Sequence, residues 1–92
     1  LDIGSGTGIL LQIAEKLGFE EIIGCENDEI ARNLSLLALS TNSKIKVIDR
    51  IDQVPYRIYN HVVVNIVLPE LRLIIDTILS LPCNNLVVSG FL

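Results

Sequence analysis

The sequence predicts an α/β protein built on a mainly parallel sheet, and three observations carry that prediction. Short apolar runs alternate with amphipathic stretches along the chain, the pattern of strand-helix-strand units rather than of hairpins. Half of the 92 residues are apolar, as suits strands covered on both faces, so much of the chain is expected to be buried. The segment Leu1-Asp2-Ile3 runs straight into Gly4-Ser5-Gly6-Thr7-Gly8 and then into a helical pattern, which makes a strand, a glycine turn and a helix in immediate succession.

Leu1–Ile3 has the character of the last half of a first strand, which leads to the expectation that the natural chain extends upstream and that the sheet is incomplete at both ends. After the glycine turn, Leu10, Ile13, Ala14 and Leu17 recur at helical spacing until Gly18 stops the helix. Glu21–Cys25 reads as a second strand. Asp28 can cap a second helix whose apolar stripe includes Ile30, Leu34, Leu37 and Ala38, and Thr41-Asn42-Ser43 breaks it. Lys44–Ile48 alternates as a third strand, and Val54-Pro55-Tyr56 belongs to a loop. His61–Val67 is a β-branched run suited to a strand buried on both faces.

Pro69 can open a third helix with Leu71, Ile74, Ile75 and Ile78 on one face, stopping near Pro82, and Leu86–Ser89 makes a fifth strand. The link between the third and fourth strands is too short for a helix. A crossover to the far side of the first strand is expected there, giving a Rossmann-like three-layer α/β/α arrangement with strand order 3-2-1-4-5. Such a crossover creates a switch point where ligands bind at the carboxyl ends of the strands.

The formal charge of −4 supplies no basic field for nucleic-acid phosphates, and a basic partner suits it better. No apolar run reaches the roughly 18–20 residues of a membrane span. Cys25 and Cys83 are too few and too isolated for a disulfide framework or a metal site, as expected of free thiols in a reducing, cytoplasmic compartment. The reading at this level is therefore one domain, residues 1–92, with neither a nucleic-acid nor a membrane partner.

Chemistry is concentrated in the glycine turn. Glycines at alternate positions let the backbone approach a ligand with no Cβ in the way. The spacing is G-x-G-x-G, and Ile9 stands where the dinucleotide fingerprint needs its third glycine, which disfavours a nucleotide-dependent oxidoreductase. No Gly-Lys-Ser/Thr follows, so the phosphate-loop pattern fails too. Glu26 ends the second strand eighteen residues past Gly8, where a carboxylate can accept from both hydroxyls of a ribose. A tight turn would explain the glycines and a solvated acid would explain Glu26, but neither explains the pair. Nucleoside binding does.

With these segments in place, the chain resembles the class I S-adenosylmethionine-dependent methyltransferases over essentially its whole length. Within that class, Gly8-Ile9-Leu10, Lys16-Leu17-Gly18, Ile23-Gly24-Cys25-Glu26-Asn27-Asp28, Val62-Val63-Val64-Asn65-Ile66 and Leu86-Val87-Val88-Ser89-Gly90 are similar to the enzymes that methylate large-subunit ribosomal protein eleven. The resemblance implies S-adenosylmethionine as cofactor, methyl transfer to protein amino groups and a ribosomal protein as partner. It implies a cofactor site made of Asp2, Gly4, Ser5, Gly6, Thr7, Gly8, Glu26, Asn27 and Asn65, with Glu26 on the ribose and Asn65, near cofactor and acceptor, as the candidate catalytic residue. The chain departs from the family pattern at Ser5, Glu26 and Glu29, where cysteine, aspartate and proline are usual. The family's amino-terminal substrate-recognition domain is not among these 92 residues, which keeps open a non-catalytic binding module on the same fold.

The remaining candidates have bland alternatives. Asn65 can accept from an amine and donate to a carboxylate, or simply satisfy loop backbone. An Asn/Asp-Pro-Pro-aromatic platform for a flipped base is absent, since Asn65-Ile66-Val67-Leu68 stands there. Asp2 orients the glycine turn or reaches a methionine ammonium. Asp49 and Asp52 contact adenine or are a solvated turn, His61 has no nearby partner in sequence, and Tyr56 and Tyr59 cover a ligand or cap a core.

Overall fold

The computed structural model describes residues 1–90. In chain order its elements are β1 (Asp2–Ile3), α1 (Ile9–Lys16), β2 (Ile22–Cys25), α2 (Glu29–Leu37), β3 (Ile45–Ile48), β4 (Tyr59–Asn65), α3 (Leu68–Ser80) and β5 (Cys83–Ser89), with a single 3₁₀ turn at Ile51–Gln53. The five strands form one sheet in the order β3-β2-β1-β4-β5. Every pairing is parallel, so the sheet is wholly and not only mainly parallel. The expected order holds, as does the link without an α-helix between β3 and β4. Among the described residues no helix is long and apolar enough to cross a membrane.

Two strands differ in extent from the expectation. β4 begins at Tyr59 rather than His61 and stops at Asn65, because Val67 turns out of the sheet to become the N-cap of α3. β5 begins at Cys83, paired with Tyr59, rather than at Leu86. The polar Asn84 and Asn85 mask that start in the sequence, yet both are exposed and cost nothing there.

Adjacent residues of β2 point to opposite sides of the sheet and so divide the core in two. Ile23 packs with Ile3, Val62, Val64, Leu71 and Ile78 on the α3 side. Ile22 packs with Leu11 and Ile45 on the α1 side. Glu15 ties α1 to the start of β3, its Oε2 accepting from the Ser43 hydroxyl at 2.9 Å and the Lys44 amide at 2.7 Å. Asp28 caps α2 as expected, accepting from the Ile30 amide at 3.3 Å.

The inner faces of two helices are not the expected ones. In α1, Leu11 is buried while Ile13 and Leu17 are 47% and 73% exposed. In α2 the buried residue is Ser35, and Ile30, Leu34 and Leu37 face outward. The cause is close approach. Leu11 presses on Gly24 of β2, and Ser35 packs against Gly8; bulkier apolar side chains on that face of α2 would hold the helix off the glycine turn. Only α3 buries its predicted stripe, with Leu71 and Ile78 in the core and Ile74 and Ile75 half-buried. The expectation of a largely buried chain is corrected accordingly, since the outer faces of α1 and α2 leave large apolar side chains in solvent.

Gly24 provides a direct check of this packing. A Cβ there would stand 2.5 Å from Leu11 Cδ1 and 2.9 Å from Ser5 Oγ. Gly24→Ala is expected to destabilise the chain by about 1–3 kcal/mol, the usual cost of overpacking. A thermal melt reads it, and an unchanged midpoint would contradict the α1–β2 contact.

Candidate cofactor cleft

The chain winds from β1 outward to β2 and β3, then returns to β4 on the other side of β1. The loops at the carboxyl ends of β1 and β4 therefore diverge and leave a crevice between them. A cavity of about 600 Å³ opens there, and Gly4, Gly6, Glu26, Asn27 and Asn65 all line it, a size within the usual range for small-molecule sites. Asp49, Arg50 and Ile51 close one side, while Ile66, Val67 and Glu70 close the other.

Glu26 is the best-defined side chain in the cleft. Its Oε1 accepts from the Gly6 amide at 2.7 Å and its Oε2 from the Asp28 amide at 2.9 Å. Arg32 Nη1 donates to the Glu26 carbonyl at 2.9 Å, fixing the backbone as well. An ionised carboxylate has about four acceptor positions, so two remain after the backbone bonds are made. The carboxylate is thus a pre-set double acceptor at the end of β2. A Cβ on Gly6 would meet nothing within 4 Å, which leaves the turn open for a ligand to lie across it.

The other expected site residues sit elsewhere. Thr7 is exposed, Gly8 is buried under α2, and Ser5 is buried beside Gly24. Asp2 is on the α1 side of the sheet, where it lines a second cavity of about 350 Å³ with Leu10, Leu11 and Ala14. Among the described residues Asp2 Oδ1 and Ser5 Oγ are buried without a hydrogen-bond partner. Burial raises the Asp2 carboxyl from its ordinary 3.8 to about 6. The folded state therefore holds this proton more tightly than the unfolded one, and stability falls as pH rises from about 4 to 6. Asp2→Asn is expected to remove that slope, worth on the order of 1–3 kcal/mol once solvent screening is allowed for. Urea unfolding at pH 4 and pH 7 measures it; equal slopes in both proteins would refute the assignment.

Several candidates resolve as structural. His61 lies edge-on to Phe19 with ring centroids 5.5 Å apart, away from the cleft. The Tyr59 hydroxyl donates to the Pro55 carbonyl at 2.6 Å and caps the core, while Tyr56 is exposed. Asp52 pairs with Arg50 at 3.3 Å in solvent, whereas Asp49 lines the cleft. Cys25 and Cys83 are free. Burial, reinforced by the Glu26, Asp49 and Asp52 carboxylates, pushes the Cys25 thiol up to about 11, so it is not a nucleophile at neutral pH. Cleft residues that sequence reasoning missed include Gly90 and Leu73. Leu73 had a findable signal, standing one turn past Pro69 on the face of α3 opposite the core.

An open parallel sheet of this order, with a glycine turn and a backbone-anchored acid at its switch point, is a Rossmann-like α/β core with a cleft where such folds take their ligands. The family model for ribosomal protein L11 methyltransferase (PrmA) matches residues 1–92. The chain belongs to that family. No curated protein and no solved structure gives a match.

Proposed function

We propose that this chain is the S-adenosylmethionine-binding core of a methyltransferase that modifies amino groups of a ribosomal protein, ribosomal protein L11 being the acceptor the family name points to. The observation that carries the reading is the Glu26 carboxylate, held by the Gly6 and Asp28 amides with an acceptor position left on each side. Residues 1–92 act as one cofactor-binding domain, and the working compartment is the cytoplasm. The acidic balance of the chain favours a basic acceptor protein.

In this reading Glu26 takes the two ribose hydroxyls, Gly4 and Gly6 give the backbone close access, and Asn27 and Asn65 flank the ligand. Asp2, Ser5 and Gly8 shape the turn from behind, and Thr7 stands exposed on it. The bound cofactor supplies an electrophilic methyl group on a sulfonium. The protein's task is placement of a neutral amine in line at about 3–3.5 Å, with no covalent enzyme intermediate. Asn65, at the carboxyl end of β4, accepts a hydrogen bond from that amine through its Oδ1 and so orients the amine lone pair. The cleft is open to solvent, and the amine's proton passes to water.

Calorimetric titration of the chain with S-adenosylmethionine and S-adenosylhomocysteine tests the reading, followed by mass spectrometry of ribosomal protein L11 incubated with the chain and cofactor. Saturable binding and a gain of methyl groups on L11 are expected. A folded chain that binds neither nucleoside would overturn the proposal in favour of a non-catalytic module.

A further inference from the structure

Asn65 and Ser89 are register partners at the ends of β4 and β5, and the next residue, Gly90, has a left-handed backbone with φ +74°. Its bare α-carbon faces the Asn65 side chain. A Cβ at Gly90 would run into Asn65 Oδ1 and lie 3.1 Å from Asn65 Cγ. On the opposite flank, a Cβ at Gly4 would run into Ile66 Cγ2 and stand 3.0 Å from the Asn65 carbonyl oxygen. Asn65 is therefore flanked from β1 and β5 by two residues without side chains, and both glycines line the cleft with it. The Asn65 amide oxygen occupies the space that a side chain at Gly90 would fill.

We infer that Gly90 is a positioning residue for Asn65, its missing side chain setting the direction in which the Asn65 amide enters the cleft. The inference rests on the reading of Asn65 as a cofactor-flanking and acceptor-orienting group. Gly90 touches the reaction only through Asn65. Any side chain at Gly90 drives the amide to another rotamer and withdraws its acceptor and donors from the ligand. Alanine there carries, in addition, the intrinsic strain of a left-handed backbone, whatever stands at position 65.

A double-mutant cycle separates these two effects. The proteins are the parent chain, Gly90→Ala, Asn65→Ala and the double variant, each titrated with S-adenosylhomocysteine, melted thermally, and observed through the side-chain amide signals of Asn65 by NMR. Gly90→Ala is expected to shift those amide signals and weaken binding about 3- to 10-fold, the worth of one hydrogen bond. In the Asn65→Ala background it should weaken binding no further and lower the melting midpoint less than it does in the parent. Equal effects of Gly90→Ala in both backgrounds, or unmoved Asn65 signals, would show a purely structural glycine and overturn the inference. If the parent chain binds no S-adenosylhomocysteine, the proposed function fails while the NMR and melting cycles still decide the positioning role. If Gly90→Ala alone does not fold but the double variant does, that rescue shows the clash with Asn65; failure of both to fold, beside a folded Asn65→Ala, would show a purely structural glycine and overturn the inference.

Discussion

Glu26→Ala is expected to weaken S-adenosylhomocysteine binding at least about 100-fold. Hydrogen bonds to a charged acceptor are worth about 1.5–3 kcal/mol each, and two are lost with the ribose. Their sum, about 3–6 kcal/mol, corresponds to two decades or more in affinity. A second loss compounds the first, because the Gly6 and Asp28 amides now held at 2.7 and 2.9 Å are released and the glycine turn is no longer tied to β2. Glu26→Asp keeps the charge but is one methylene shorter, and affinity within about 10-fold of the parent is expected because one backbone bond can persist. Calorimetry on variants shown to be folded by circular dichroism reads both. An alanine variant with parental affinity would remove Glu26 from the site.

Gly4→Ala is expected to cost about 2–5 kcal/mol of stability. The new methyl group would overlap Ile66 Cγ2 and crowd the Asn65 carbonyl oxygen at 3.0 Å, on a backbone at φ +78°. Left-handed backbone accounts for about 1–2 kcal/mol and overpacking for about 1–3 kcal/mol. Domains of ordinary stability have only about 5–15 kcal/mol in total, so the urea midpoint should fall by a large fraction. Ile66→Ala in the same chain gives the methyl group room and should recover part of the loss. A parental midpoint for Gly4→Ala would mean that β1 and β4 do not meet as closely as the sheet end requires.

Much of this architecture is legible in the sequence because it depends on order along the chain. The short link between β3 and β4 forces the crossover, and the spacing of Glu26 from the glycine turn brings the acid to the same sheet end. What is not legible depends on contacts across the sheet. Leu11 and Ser35 face inward because Gly24 and Gly8 lie beneath them, and no helical periodicity in α1 or α2 carries that information. Both helices have apolar residues on more than one side, so periodicity alone does not distinguish the stripe through Ile13 and Leu17 from the face that is buried. Asp2 shows the same limit at the site, since alternation along a two-residue strand decides which face it takes. The place of Gly90 in the cleft is not legible in the sequence because it comes from Asn65, a neighbour only after β4 and β5 have paired.

All four residues of β2 are buried, whereas β5, at the edge of the sheet, has no buried residue. Because Ile22 and Ile23 anchor opposite cores, neither half can loosen without tugging on the same short strand. The backbone amides of β2 should accordingly be the last to trade hydrogen for deuterium, opening only when the whole molecule unfolds, while those of β5 exchange through local fraying. The end of the acid-bearing strand would thus be the stiffest point of the sheet, and the end bearing Gly90 the most yielding.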